Sequence, residues 1–238
     1  MNKCVYLWSA QTSKVTKLCD LATNVVEGED GGDVITGLEW TGKVNISLHL
    51  IGKSLTHLQG STLAIGTNRG SVEIWDAEYC KLIRTMTGHS GRVGCLAWNQ
   101  HILSTGSRDR TILHRDTRVR DPFIRRLAGH HKQEVCGLRW NTDTDQLASG
   151  GNDNKLYVWG GTDARPTWRF GEHRAAVKAI AWSPHQRGVL ASGGGTADKK
   201  IRFWNSQTGG LVSEWDTGSQ VSDIRINRDR TDQIRCVT

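Results

Sequence analysis

The sequence predicts an all-β fold in which one small sheet is repeated around an axis. Tryptophan recurs at a constant interval, because the numbering rises by 42 from Trp98 to Trp140 and again to Trp182. A fixed period of this length is typical of repeat proteins. Short β-rich runs alternate with Gly, Asn, Asp and Ser turns, and no stretch sustains a helical apolar period. Since one such sheet cannot bury both of its faces, neighbouring repeats are expected to stack on one another.

Each repeat carries the same local pattern. A first strand is marked by Val135, Leu138 and Trp140, and a small-residue run, an aspartate turn at Asp153 and a closing β-rich run at 156–159 follow it. Turn residues at fixed offsets between apolar runs indicate several strands of about 4–6 residues per unit. The equivalent first-strand residues of the flanking units are Val93, Leu96 and Trp98, and Val177, Ile180 and Trp182.

Position, spacing and residue type together resemble the WD-repeat family, whose fold is a β-propeller with four strands per blade. Seven blades, the usual number, need about 290 residues at this period, and the chain has 238. We therefore expect an incomplete propeller of about five of seven blades. Its open ends would expose strand edges, which are prone to pair with other chains.

One interval departs from the period. The numbering rises by 58 from Trp40 to Trp98, 16 more than the repeat allows, and the segment 44–59, VNISLHLIGKSLTHLQ, has that excess length. Removing it leaves a unit that matches its neighbours. We favour translated intron sequence, because the segment begins with Val and ends with Gln. A Val codon begins with GT and a Gln codon can be CAG, and these are the usual sequences at the two boundaries of an intron. A genuine loop inserted between two strands is the alternative, since surface loops tolerate insertions.

The same pattern gives the domain boundaries. A partial propeller is expected over 1–221, interrupted by the insertion 44–59. The run 222–238 is expected to be an aberrant tail, because it lacks the small-residue turn, the aspartate turn and the closing Trp. The chain also begins on a closing strand, CVYLW at 4–8, which suggests a blade entered midway.

Composition narrows the function classes. The net charge is +7, but the two basic clusters, 118–126 and 225–235, do not interleave with aromatic residues, so nucleic-acid binding is not expected. The six cysteines form no C-x-x-C pair, which suits a reducing compartment. With no signal peptide and no apolar run of membrane-spanning length, we expect a soluble intracellular protein that does not bind membranes.

Longer strings point to one branch of the WD-repeat proteins. They are CVYLWSAQTSKVTKLCDL (4–21), RVGCLAWN (92–99), QEVCGLRW (133–140), LASGGNDNKLYVW (147–159) and LASGGGTADKKIRFWN (190–205). These strings resemble the Fizzy and Fizzy-related proteins, and 4–21 favours the Fizzy-related branch. The resemblance implies a substrate-recruiting activator of the anaphase-promoting complex that binds KEN-box and D-box peptides, needs no cofactor and acts in nucleus and cytoplasm.

The resemblance also implies a site. The family's KEN-box contacts fall on Asn152, Asn154, Thr196 and Gln220, whose amides and hydroxyl supply both donors and acceptors for a peptide. From the pattern alone, the two asparagines could equally be ordinary turn residues. An Arg of the last blade, the D-box groove between first and last blades, the C-box and the Ile-Arg tail have no counterpart in this sequence.

Histidines recur before the first strands and are expected to be structural. The resemblance implies networks of His130, Ser149, Asp153 and Trp159, and of His173, Ser192, Asp198 and Trp204. A third set, His89, Thr105 and Asp109, has Arg115 where Trp is expected, so its network should be incomplete. The spacing of these histidines does not fit a metal site.

The sequence carries no complete enzyme signature. The triplet 114–116, His-Arg-Asp, mimics a kinase catalytic loop, but the sequence contains neither the glycine-rich loop nor Asp-Phe-Gly. We therefore predict a binding protein and not an enzyme. Two alternatives stay open: a scaffold propeller without degron specificity, and a non-functional or dominant-negative product.

Overall fold

The computed structural model describes residues 3–9, 13–21, 33–41, 48–50, 53–55, 62–161, 163–227 and 234–237. In this part of the chain, four four-stranded antiparallel sheets and three two-stranded sheets are present. The described residues include no helix long and apolar enough to cross a membrane.

The strands follow one another in the order that the repeat predicts. The chain enters on a pair, β1 (Cys4–Trp8) and β2 (Val15–Asp20). Blade 1 contains β3 (Ile35–Trp40), β6 (Thr62–Thr67), β7 (Val72–Asp76) and β8 (Lys81–Met86), with the small pair β4 (Leu48–Leu50) and β5 (Lys53–Leu55) between its first two strands. Blade 2 contains β9 (Val93–Asn99), β10 (Ile102–Ser107), β11 (Ile112–Asp116) and β12 (Arg125–Leu127). Blade 3 contains β13 (Val135–Asn141), β14 (Gln146–Gly151), β15 (Leu156–Gly160) and β16 (Pro166–Phe170). Blade 4 contains β17 (Val177–Trp182), β18 (Val189–Gly194), β19 (Lys200–Asn205) and β20 (Gly210–Asp216), and the pair β21 (Asp223–Ile226) and β22 (Ile234–Val237) follows it.

The blades stack through their first strands. Strands β3, β9, β13 and β17 lie next to one another in that order, and β21 continues the series beside β17. The pair β1–β2 packs on blade 1, where Val5 and Leu18 contact Leu63 and Ile65. Four complete blades and two half-blades amount to about five, so the predicted all-β, incomplete propeller is confirmed.

Glycines in the second strands allow this stacking. Gly150 lies so close to the next blade that an added Cβ would stand 2.2 Å from the carbonyl oxygen of Val177. A Cβ on Gly193 would stand 2.5 Å from a methyl group of Val221. Both valines are buried, and close-packed interiors have no room for an extra carbon. The small residues that the sequence pattern predicted to form a turn therefore lie in the second strand, where contact between blades requires them.

The series of close glycine–valine contacts reaches the predicted domain boundary, and buried packing continues beyond it. Val221 occupies the position of Val177 one blade later, and Ile224 of β21 is buried with it against Ala179 and Ile201. The boundary placed at residue 221 thus falls within packed structure, because the first strand of a further blade begins there. Of the rest of 222–238, residues 228–233 and 238 lie outside the described residues.

The insertion lies between the first two strands of one blade. Trp40 pairs with Leu63, as Trp140 pairs with Leu147 in blade 3, so both flanks keep the standard register. The link 41–61 is much longer than the links of two, four and six residues at the same place in blades 2, 3 and 4. Within 44–59, the pair β4–β5 is described and the other residues lie outside the described part. Whether the segment derives from an intron stays a hypothesis.

Candidate functional site

Blade 4 assembles the four network residues that the sequence predicts for it. Asp198 Oδ2 accepts a hydrogen bond from His173 Nδ1 at 2.5 Å, and His173 Nε2 lies 2.6 Å from Ser192 Oγ. Trp204 Nε1 donates to the same hydroxyl at 2.7 Å. All four side chains are buried, and none of their fully buried polar atoms lacks a hydrogen-bond partner, which makes such a network tolerable in a core. It fastens the loop before β17 to the turn before β19.

Blade 4 also holds a cation that sequence reasoning missed. Arg202 is buried, and its Nη1 lies 2.7 Å from Asp198 Oδ2. Burial alone would raise the pKa of Asp198, but hydrogen bonds from Arg202 and His173 outweigh it and lower that pKa below its usual range. The sequence does contain a sign of this contact. Arg202 stands two residues before Trp204, so its side chain points to the same side of β19.

In blade 3, one of the four predicted network residues is wrong. His131, and not His130, lies 3.2 Å from Asp153 through Nδ1 and 3.0 Å from Ser149 Oγ through Nε2. The backbone N–H of Lys132 donates to the same aspartate at 2.8 Å. Trp159 Nε1 completes the predicted set by donating to Ser149 Oγ at 2.9 Å.

The physical reason is a fixed loop geometry. In blade 2 too, the network histidine and the next backbone N–H, His89 and Ser90, both bond the turn aspartate. His89, His131 and His173 follow the same period as the tryptophans, each four before its first-strand valine. In the sequence, His130 follows a glycine as His89 does, but the four-residue spacing to the first-strand valine identifies His131. His130 lies beside the network, with its ring edge-on to Trp159 at 5.1 Å.

Blade 2 replaces the missing tryptophan with a cation. Arg115 is fully buried, and its Nε donates to Thr105 Oγ1 at 3.3 Å, where the indole donates in blades 3 and 4. Its Nη1 donates to the carbonyl oxygens of Thr87 at 2.7 Å and Pro122 at 2.6 Å. Burial lowers the pKa of Arg115 to about 10. The network expected to be incomplete therefore has a donor at every position.

The turn 152–154 displays two asparagines. The carboxylate of Asp153 faces inward and accepts from His131 and from the backbone N–H groups of Lys132 and Lys155. Asn152 is exposed and Asn154 half-buried. Asn154 has a φ of 61°, a left-handed conformation that asparagine tolerates better than most residues. The network below thus fixes a turn whose two amides remain accessible.

The other two predicted residues meet on the next blade. Thr196 Oγ1 donates to Gln220 Oε1 at 2.7 Å, and Gln220 Nε2 donates to Ser222 Oγ at 3.2 Å. Thr196 lies in the turn between β18 and β19, the counterpart of the turn 152–154, so all four residues share one end of neighbouring blades. Among the described residues, no hydrogen bond joins the Asn152–Asn154 turn to the Thr196–Gln220 pair.

Comparisons with known proteins agree on one family. The model described as the CDC20/Fizzy WD40 domain matches residues 1–236. Protein FIZZY-RELATED 3 of Arabidopsis thaliana is 50% identical over 94% of this chain and 41% of its own length. The APC/C activator protein CDH1 of Saccharomyces cerevisiae is 46% identical over 94% of this chain and 35% of its own. The chain thus spans well under half the length of these relatives.

A solved structure shows the same fold. A chain of the crystal structure of the Mitotic Checkpoint Complex superposes with a TM-score of 0.79 and 41% identity, covering 93% of this chain and 60% of that chain.

A further sequence relative is the B-type cell cycle switch protein ccs52B of Medicago truncatula, which is 52% identical over 94% of this chain and 41% of its own length.

Proposed function

The chain belongs to the CDC20/Fizzy family of WD40 proteins, and on that premise we propose that it reads KEN-box peptides for an activator of the anaphase-promoting complex. The observation that carries the proposal is the turn 152–154. The carboxylate of its aspartate faces the core, while Asn152 and Asn154 present amides at the same end of the blades as Thr196 of blade 4 and Gln220 of the link that follows. The activity is binding, and no catalytic step is part of the proposal.

The chemistry suits a short polar motif. A KEN box offers an ammonium, a carboxylate and an amide, and the amides and hydroxyl at this end of blades 3 and 4 supply both donors and acceptors for them. A hydrogen bond of this kind contributes only about 0.5–1.5 kcal/mol net. Several contacts are therefore needed together, and the core network holds the turn 152–154 in place before the peptide arrives, which lowers the entropic cost of binding.

The rest of the activator's activity is proposed from the relatives alone. The yeast relative is named as an APC/C activator, so we extend ligase association, D-box binding and action in nucleus and cytoplasm to the protein to which this chain belongs. Nucleic acid and membranes have no part in the proposal. Within that activity, we assign KEN-box binding to the described residues, because the four residues of the candidate site lie on blades 3 and 4 and the link that follows.

Fluorescence anisotropy with a labelled KEN peptide and its triple-alanine analogue tests the proposal. Wild type should prefer the KEN peptide, and the double substitution Asn152→Ala/Asn154→Ala should reduce that preference by about tenfold, the loss of two hydrogen bonds. Asn68→Ala is the matched control, since Asn68 is an exposed asparagine after the second strand of blade 1. Equal binding of both peptides by wild type would instead favour a scaffold without degron specificity.

A further inference from the structure

A basic depression adjoins the asparagine turn. It has a volume of about 550 Å³ and is lined by Asn152 and Asn154 together with residues from three other segments of blade 3. Three residues of the lining are cations: Lys132 from the loop before β13, Lys155 directly before β15, and Arg169 from β16. Cations from separate segments therefore converge on one hollow.

The cations of the depression lack carboxylate partners. Lys132 Nζ donates to the carbonyl oxygen of Gly129 at 3.0 Å and Lys155 Nζ to that of Gly171 at 3.3 Å. Within the described ranges, neither lysine nor Arg169 forms an ion pair. Asp153 is the one acid of the lining, and its oxygens already accept from His131 and two backbone N–H groups.

The same place on blade 4 is neutralised internally. Lys200 and Arg202 lie four and two residues before Trp204, as Lys155 and Tyr157 lie before Trp159. Lys200 Nζ contacts Glu214 at 2.7 Å, and Arg202 Nε lies 3.2 Å from the same carboxylate. Glu214 pairs with Arg202 across β19 and β20.

Arg169 occupies the position of Glu214 on blade 3. It pairs with Tyr157 across β15 and β16, so the strand that supplies a carboxylate on blade 4 supplies another cation here. The three positions on blade 3 carry as many cations as those on blade 4 and one acid fewer, so their net charge is more positive by one.

Two further groups of the lining suit an anion. His130 is released from the core network, because His131 takes that role, and His130 lines the depression. The hydroxyl of Tyr157 also faces this region, where it donates to the carbonyl oxygen of His130 at 3.1 Å. Guanidinium, ammonium and imidazole groups around one hollow are the usual environment of a bound carboxylate or phosphoryl group.

We infer that this depression binds an acidic or phosphorylated side chain flanking the motif that Asn152 and Asn154 hold. The inference rests on the proposed function, and it specifies a substrate class: degron peptides with glutamate, aspartate or phosphoserine beside the polar motif. The asparagines bind the motif, while Lys132, Lys155 and Arg169 bind the anionic flank. An external anion restores the balance that Glu214 provides on blade 4.

The test is a grid of peptides measured by fluorescence anisotropy. The motif is either KEN or three alanines, and the flank carries glutamine, glutamate or phosphoserine, placed before the motif in one set and after it in another. We expect a charged flank on one side to raise wild-type affinity about fivefold, with the gain falling in high salt because the cations are partly exposed. The glutamate and phosphoserine arms show which anion the depression prefers.

Variants assign the gain to the depression. Lys132→Gln/Lys155→Gln/Arg169→Gln should lose the flank effect and keep the KEN effect. Arg169→Glu should lose it as well, since a glutamate there can pair with Lys155 as Glu214 pairs with Lys200. The matched control, Lys81→Gln/Arg120→Gln/Arg187→Gln, removes the same net charge at exposed sites outside the depression.

The outcomes separate the two proposals. A flank effect that disappears in the depression variants supports the inference, even if KEN and alanine motifs bind equally and the proposed function fails. Equal affinity for neutral and charged flanks overturns the inference while leaving KEN recognition standing. Failure of every charged peptide to bind, or an equal loss in the control variant, overturns it too.

Discussion

Blades 2 and 4 build the same core network from different side chains. Both join a histidine, a hydroxyl and a turn aspartate, but the donor behind the hydroxyl is Trp204 in blade 4 and Arg115 in blade 2. The position therefore demands an N–H donor and a large buried side chain, and an aromatic ring is one way to supply them. A guanidinium does so only because the carbonyl oxygens of Thr87 and Pro122 accept from its Nη1, while its buried Nη2 has no hydrogen-bond partner among the described residues.

The aspartates of the two blades differ as well. Asp198 faces a buried guanidinium, whereas Asp109 is held by His89, Thr111 and backbone N–H groups. Burial would raise the pKa of Asp109, but the hydrogen bonds from His89 and Thr111 prevail and lower it well below its usual range. The aspartate of blade 4 thus contacts a guanidinium directly, whereas the aspartate of blade 2 is hydrogen-bonded to His89, Thr111 and backbone N–H groups and acts on the buried Arg115 without a direct ion pair.

Asp198→Asn should have the largest effect on stability. It leaves Arg202 buried with the largely exposed Glu214 as its carboxylate partner, and removing one member of a buried ion pair costs about 3–5 kcal/mol. Asp109→Asn, the matched change in blade 2, should cost about 1–3 kcal/mol, since the buried Arg115 loses a Coulombic interaction with Asp109 but no direct ion pair among the described residues. Urea denaturation followed by tryptophan fluorescence measures both, and equal costs would contradict the distinction between the blades.

The next largest effect is a pH dependence located in blade 2. His114 is buried with Nδ1 2.7 Å from Ser104 Oγ, and burial together with Arg125 lowers its pKa to about 4. Between the unfolded value near 6.5 and this folded value, the unfolded chain binds more protons. The free energy of unfolding should therefore fall by about 3 kcal/mol as the pH drops through that window.

Urea denaturation at pH 7 and pH 4.5 checks this sign. His114→Asn keeps a partner for Ser104 and removes the titrating ring, so its stability should change less over the interval. His173, whose pKa burial also lowers, adds a loss in the same direction in both proteins. The aspartates of the networks matter only below about pH 4, because their pKa values are lowered in the fold. A variant as pH-sensitive as wild type would refute the assignment to His114.

A pair of adjacent histidines gives a smaller and sharper test. His131→Ala removes the group between Ser149 and Asp153 and should cost about 1–3 kcal/mol, the penalty for unsatisfied buried partners. His130→Ala, its neighbour, should cost less than about 1 kcal/mol, because its ring makes edge contacts beside the network. Thermal unfolding of both variants side by side decides the matter, and the reverse ranking would restore His130 to the network.

Arg115→Trp is expected to have the smallest effect. The indole can donate to Thr105 as Trp159 donates to Ser149, but the carbonyl oxygens of Thr87 and Pro122 lose their donor. We expect a loss of about 1–2 kcal/mol, consistent with hydrogen bonds exchanged for apolar burial. Arg115→Ala should be worse, since it loses both kinds of contact. A stabilised Arg115→Trp would mean that blade 2 departs from the common design without benefit.

Particular residues show which features of the fold and the site were predictable from the sequence. The tryptophan period predicted that the unit of Trp40 matches its neighbours once 44–59 is removed, and Trp40 pairs with Leu63 as Trp140 pairs with Leu147. The aspartate turn was also predictable, and Asp153 faces the core as expected. The prediction of His130 was wrong, since the network histidine is His131, which lies four residues before the first-strand Val135 as His89 and His173 lie before theirs.

By itself, the sequence determined the repeat, the strand order and the polar residues of the turn 152–154, because all of these follow from local spacing. Only the tertiary structure decided which groups share partners. Whether Arg115 replaces an indole depends on the carbonyls of Thr87 and Pro122, which belong to other segments of the blade. Whether Lys155 faces an acid depends on the residue that strand pairing places near it, Arg169 on blade 3 where blade 4 has Glu214. Charge balance in a fold is set by distances between segments, and no local pattern encodes those distances.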